Sequence, residues 1–217
     1  MRRRVTITFD NGPMPEVTPY VLDCLARNDV PATFFVVGRK ASTPEGIAIL
    51  QRASEEGHCI GNHTFTHTTP LGELERDAAL REFEQGERAL AWLKQPKRLF
   101  RPYGRGGKLG RHLFHPAVVE KLRAGRYWCV LWNSVSGDWR DPDGWVERAL
   151  SDCHTREWSL VVLHDLPTGA MIHLERFLRV LRDEDVDVTQ DYPPECIPIA
   201  DGRILQAMDQ FVVQTDV

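Results

Sequence analysis

The sequence predicts a single α/β domain built on a parallel sheet that closes into a barrel, and three observations lead there. Apolar strand segments alternate with amphipathic helical segments about seven times. The residues able to do chemistry (Asp10, His63, His67, Arg101, Asp138 and His164) fall just after strands, on at least five of them. Drawing a site from many strand ends is the habit of a barrel, whereas an open sheet gathers it at one switch point. No repeat, low-complexity tract or linker divides residues 1–217. Periodicity by itself leaves an open doubly wound sheet standing.

The first strand is Val5 to Phe9, β-branched and alternating, stopped by Gly12-Pro13 with Asp10 and Asn11 at its end. Thr18-Pro19 reads as a capped helix start, with Val21, Leu22 and Leu25 as its buried stripe and Asn28-Asp29 as its end. Ala32 to Val37 is continuously apolar, as a strand covered on both faces should be. Thr43-Pro44 opens a second helix carrying Ile47, Leu50 and Ala53. A short strand, His58 to Gly61, leads into the polar loop Asn62 to His67. Thr69-Pro70 is expected to open the longest helix, through about Leu93, with Leu74, Ala78 and Leu90 buried. Arg98 to Phe100 is a strand ending in Arg101-Pro102-Tyr103-Gly104, and a glycine-rich basic loop follows to Gly110. Next come a helix from Pro116 to about Ala124, a strand from Tyr127 to Trp132, and a helix capped by Asp141-Pro142. A strand from Leu160 to Leu163, a helix from His173 to Leu181 and a short strand near Val186 to Val188 complete the pattern. The tail with Pro193, Pro194 and Pro198 is expected to be irregular, and Trp92, Trp128 and Trp145 to be core.

A net charge of −4 argues against a general nucleic-acid binder. No apolar run approaches the ~20 residues that cross a bilayer, so no membrane partner is expected. The basic start, Met1 to Arg4, is followed at once by a strand, which is not the layout of a signal peptide. The cysteines are 5, widely spaced and without a C-x-x-C pair, as in a reduced cytoplasmic protein. Large extracellular polymers would then be out of reach, and a small soluble substrate is expected.

His63 and His67 stand four residues apart, a spacing that lets two imidazoles hold one metal ion when the turn between them is helical. With 8 histidines in 217 residues, about 0.3 such pairs arise by chance, so setting matters more than spacing. A hydrolytic metal site commonly has three protein ligands and an open position, and Asp10 or Asn11 would supply the third.

These residues carry a resemblance. Thr8-Phe9-Asp10-Asn11-Gly12-Pro13 resembles the T-F-D-D-G-P motif of the polysaccharide deacetylase family, the NodB-like carbohydrate esterases. His63-Thr64-Phe65-Thr66-His67 is similar to its H-[ST]-x-x-H motif, and Arg101-Pro102-Tyr103-Gly104 to R-P-P-Y-G. Trp132 to Trp139, ending in Asp138-Trp139, and Leu160 to His164 resemble the last two motifs, so five stand in order.

The resemblance implies a distorted (β/α)7 barrel and a hydrolase of non-peptide carbon–nitrogen bonds, a deacetylase. It implies a divalent metal, zinc being the expected ion, held by Asn11, His63 and His67, with Asp10 as general base. Arg101 would hold Asp10 by a charge-assisted hydrogen bond. His164 would be the general acid, kept charged and oriented by Asp138. The backbone N–H of Tyr103 would stabilise the oxyanion, and Trp139 would line the acyl pocket. The chain departs from the pattern at Asn11 (the family's Asp ligand), in the missing proline before Tyr103, and at Val135, where an Asp is frequent. Two other readings follow: a metal-independent amide hydrolase like the allantoinases of the same superfamily, and a silent binding protein that kept the pocket. Arg105, Lys108, Arg111, His112 and His115 form a basic loop that would meet a substrate phosphate or simply face solvent.

Overall fold

The computed structural model describes residues 2–214. In chain order the elements are β1 (Arg4–Asp10), α1 (Thr18–Asn28), β2 (Thr33–Val36), α2 (Gly38–Ala41), α3 (Pro44–Glu55) and β3 (Cys59–Asn62). They continue with α4 (Arg76–Ala89), β4 (Leu99–Phe100), α5 (Pro116–Ala124), β5 (Trp128–Cys129), β6 (Ser134–Val135) and α6 (Trp145–Thr155). β7 (Trp158–His164), α7 (Leu174–Asp183), β8 (Asp187–Val188), β9 (Ile199–Ala200) and β10 (Arg203–Ile204) close the chain.

The sheet order is β10-β9-β5-β4-β3-β2-β1-β7-β6, with β8 also on β1. Strands β1 to β5 thus follow in sequence on one side of β1, and β7 and β6 lie on the other. That is the cyclic order of a seven-stranded parallel barrel with its hydrogen bonding interrupted between β5 and β6. Arg101, just past β4, reaches the Thr8 and Asp10 side chains on β1 and the Leu131 carbonyl past β5. In a flat sheet β4 and β1 would lie three strands apart, so these contacts require the sheet to curl around its interior.

Alternation along the strands decides which side chains enter that interior. Val5, Ile7 and Phe9 pack outward with Leu22, Leu50, Trp145 and Phe177 of the surrounding helices. The intervening Thr6, Thr8 and Asp10 are buried on the opposite face. β7 repeats the device: Val161 and Leu163 join the outer core, whereas Leu160 and Val162 join a second cluster with Phe35, Phe100 and Phe114. The two strands run parallel in register from Arg4↔Trp158 to Asp10↔His164, so Asp10 and His164 finish side by side.

Several expected details differ. Thr18 does not cap α1; Val17 is the cap, and the Thr18 hydroxyl accepts from the Met14 N–H and donates to Asp165. Thr43 does cap α3, accepting from the Gly46 N–H at 3.0 Å. The helix expected from Thr69-Pro70 begins as a short 3-10 turn, Leu71–Glu73, and α4 itself runs only Arg76–Ala89. Its buried positions are Ala79, Phe83 and Gly86, while Leu74, Ala78 and Leu90 are half-buried. Asp141 serves α6 from three residues before its cap, accepting from the Gly144 N–H at 3.1 Å. The tail is not wholly irregular: β9 pairs antiparallel with β5 and with β10, covering the open edge. Trp145 is core, but Trp92 is exposed and Trp128 only half-buried. All five cysteines are free. Among the described residues no helix is long and apolar enough to cross a membrane.

Candidate active site

The strand ends converge on a cavity of about 230 Å³ lined by Asp10, His63, Trp132, Trp139, His164 and Leu166, among others. Asn11, His67, Tyr103 and Val135 also face it, so seven of the nine sequence-assigned site residues line it, and an eighth, Arg101, is bonded to Asp10. Asp138 is the ninth, and it meets the cavity through His164.

One wall is a pair of charges. Arg101 is completely buried, and its Nη1 donates to Asp10 Oδ1 at 2.7 Å and to Thr8 Oγ1 at 2.7 Å. Its Nε and Nη2 donate to the Val130 and Leu131 carbonyls, and its guanidinium carbon lies 4.0 Å from the Phe35 ring centre. A guanidinium so fully partnered cannot swing away, and it leaves Asp10 one oxygen, Oδ2, for the cavity. Beside it, His164 Nδ1–H donates to Asp138 Oδ1 at 2.9 Å, while its backbone N–H donates to Asp138 Oδ2 at 2.8 Å. Burial alone would depress the His164 imidazole, but the Asp138 hydrogen bond and the charges of Asp138, Asp10 and Asp165 outweigh it. The pKa therefore lies above the ordinary histidine value. The Trp139 ring meets His164 edge to face, 4.7 Å between centres.

The other wall is neutral. His63 Nδ1 faces the Arg101 carbonyl at 2.8 Å, which makes Nδ1 the protonated nitrogen and leaves Nε2 a lone pair, 3.6 Å from Asp10 Oδ2. Burial pushes His63 down to about 3 and His67 to about 2, so both imidazoles are uncharged near neutrality. Their ring centres are 4.7 Å apart, and the Tyr103 ring lies 3.9 Å from that of His67. The turn between them is not helical: Thr64 and His67 hold left-handed φ values of 67° and 57°. Such angles are costly for a β-branched residue. The Glu82 carboxylate bridges the turn, accepting from the Phe65 and Thr66 N–H groups and the Thr66 hydroxyl.

Asn11 completes this wall. It too is left-handed (φ 77°), a conformation asparagine tolerates, and its Oδ1 is buried with no hydrogen-bond partner. An orphaned buried oxygen beside two neutral imidazoles is a donor set that fits a divalent cation. Among the described residues, no group of three or more His, Cys, Asp or Glu stands close enough to hold one. The residues therefore fit a metal through three neutral donors, and lack a carboxylate ligand. Lys40 Nζ donates to the Asn11 carbonyl at 2.6 Å from behind, and burial lowers its pKa.

Sequence reasoning missed the residues that support the turn after β1. Asp165 is fully buried against Gly12, where an added Cβ would come within 2.1 Å of its Oδ2, so only glycine fits there. Burial raises Asp165 to about 7, and its adjacency to His164 was the available signal. Glu82 and Lys40 gave none, lying far from the motifs they support. The expected convergence of basic side chains on the 104–115 loop is absent at two positions. Arg105 is paired with Glu73 at 2.7 Å, and Arg111 donates to the Asp209 carbonyl. His115 caps α5, accepting from Ala117 N–H.

The polysaccharide deacetylase family model matches residues 1–112. The chain belongs to the polysaccharide deacetylase family. A chitooligosaccharide deacetylase of Bradyrhizobium sp. (strain ANU 289) is 34% identical over 75% of this chain and 71% of its own. A peptidoglycan-N-acetylglucosamine deacetylase of Bacillus cereus is 32% identical over 74% of this chain and 72% of its own. Among solved structures, a T48 deacetylase with substrate superposes with a TM-score of 0.71 at 28% identity, covering 87% of this chain and 88% of that one. The fold is shared with a CE4-family pseudoenzyme of Bacillus anthracis at 22% identity (TM-score 0.71, 86% of this chain and 63% of that one). Family membership and the curled parallel sheet agree with the α/β barrel expected from the sequence.

Proposed function

We propose that this polysaccharide deacetylase-family chain hydrolyses the N-acyl bond of an acylated sugar or similar small acylated amine. The observation that carries the reading is the placement of two differently partnered groups, Asp10 with Arg101 and His164 with Asp138, on adjacent strand ends over one cavity. Asp10 Oδ2, the oxygen Arg101 leaves free, takes a proton from a water attacking the acyl carbon. His164, whose Nδ1 is occupied by Asp138, presents Nε2 as the acid that protonates the departing amine nitrogen. Trp139, Val162 and Leu166 offer the acyl group an apolar lining, and Val135 extends it where the family often carries an Asp. The Tyr103 backbone N–H is the assigned oxyanion donor.

Family membership implies a divalent metal, and Asn11, His63 and His67 are the residues that would hold it. Bound there, zinc or a similar ion would supply Lewis-acid polarisation and an acidified water. The neutral donor set also supports a second reading, a metal-independent amide hydrolase using the same base and acid.

Amine release from N-acetylglucosamine and short acyl amines, with and without chelator, tests the proposal. Hydrolysis that Asp10→Asn abolishes supports it, and chelator sensitivity selects the metal-assisted form. No amine released from any of these compounds by protein reconstituted with zinc would count against it.

A further inference from the structure

We infer that Arg140 is a specificity-determining residue that binds an anionic group, phosphate or carboxylate, carried by the substrate. The inference rests on the hydrolase reading above and names the substrate class more closely. Arg140 follows Trp139 directly and is exposed at the cavity's rim. Its guanidinium carbon lies 5.4 Å from the Trp139 ring centre, within cation–π range. The same group overlies Gly106, where an added Cβ would come within 3.1 Å of Nη2. Trp139 and Gly106 both line the cavity, so the guanidinium stands beside two residues of its mouth.

What distinguishes Arg140 from the neighbouring arginines is charge left over. Arg105 is paired with Glu73 and Arg148 with Asp141, and Arg111 donates to a backbone carbonyl. Among the described residues, Arg140 has no carboxylate within 4.0 Å and no hydrogen-bond acceptor. The one acid lining the cavity, Asp10, is already held by Arg101. The mouth therefore presents five planar N–H donors without a counter-charge, next to the ring that touches His164. Planar forked donors match a phosphate or carboxylate edge.

The test titrates the protein calorimetrically with N-acetylglucosamine, its 6-phosphate and N-acetylmuramic acid, and measures hydrolysis of all three. The charged sugars are expected to bind about two- to fivefold tighter than the neutral one, the scale of a rim ion pair. Arg140→Gln should bring that ratio near one, Arg140→Lys should keep part of it, and added salt should shrink it. Preference for the phosphate or for the carboxylate identifies the group, and either supports the inference. Equal binding of all three sugars, or a ratio unchanged in Arg140→Gln, overturns it. Selective binding without hydrolysis would overturn the hydrolase reading and leave the anion site standing.

Discussion

The two walls of the cavity are built on opposite principles. On the Asp10–His164 side, each working group has a charged partner at hydrogen-bond distance, and both partners are fully buried. On the Asn11–His63–His67 side no charged group faces the cavity: two imidazoles kept neutral by burial stand there with one carboxamide oxygen that has no partner. The contrast teaches where this chain has placed its electrostatics. Formal charge is paired around Asp10 and His164, and the Asn11–His63–His67 side presents only neutral donors to the cavity. Removing a charge should therefore damage the first wall severely, and adding one should improve the second.

The largest effect is expected at the proton-transfer groups. Asp10→Asn or His164→Asn should lower turnover by ~10²–10⁴ in protein that still folds, since asparagine at position 10 keeps an oxygen for Arg101 to donate to, at some loss of stability. Turnover close to normal in either variant would remove that residue from the chemistry.

Arg101→Met should act on stability as well. It strands the Asp10 carboxylate in the interior, and breaking a buried pair by deleting one partner costs about 3–5 kcal/mol. Urea unfolding monitored by tryptophan fluorescence reads this directly. The double variant Arg101→Met/Asp10→Leu should recover much of the loss, and no recovery would mean that Arg101 is needed for its carbonyl contacts instead.

A smaller effect is expected from Asp138→Asn, about 10–100-fold in rate, the scale seen for groups that orient a working imidazole. Its pH signature is more telling. The acid must be protonated, and His164 is held above the ordinary histidine range, so the wild-type rate should fall only as pH rises through that elevated value. Without the Asp138 charge, burial dominates and the alkaline limb should move to lower pH. A limb that stays in place would dissociate it from His164.

The first wall was legible in the sequence because each of its members lies in a short motif at a strand end, and parallel packing gathers such ends. The pairing of Arg101 with Asp10 was implied by the resemblance those motifs carry, and the structure places the two in contact. What the sequence did not reveal has identifiable physical causes. The Thr69-Pro70 start was pulled out of α4 because Gly72 lets the Arg111 and His112 carbonyls approach closely, and Leu71 is buried in the second core cluster. That is a tertiary contact overriding a local cap signal. The β9–β10 hairpin has strands of two residues, too short for any alternation to show, and it forms because β5 offers an open edge. The i, i+4 spacing of His63 and His67 suggested a helical turn, yet they meet through left-handed residues bridged by Glu82 of α4, 16 residues beyond Thr66. Arg140 drew no notice beside the basic loop, because an unpaired charge is visible only when the other pairs are known.

The contrast between the walls is tested most directly by titrating metal-free protein with zinc, wild type against Asn11→Asp. The backbone should accept the change, since Asp tolerates the left-handed conformation nearly as Asn does. A carboxylate would turn three neutral donors into a charged set at the point where Oδ1 now lacks a partner. We expect Asn11→Asp to tighten zinc binding at least about tenfold, with wild-type binding measurable but weak. Equal affinities in the two forms, or no binding by either, would contradict the account and leave the metal-independent hydrolase as the better description.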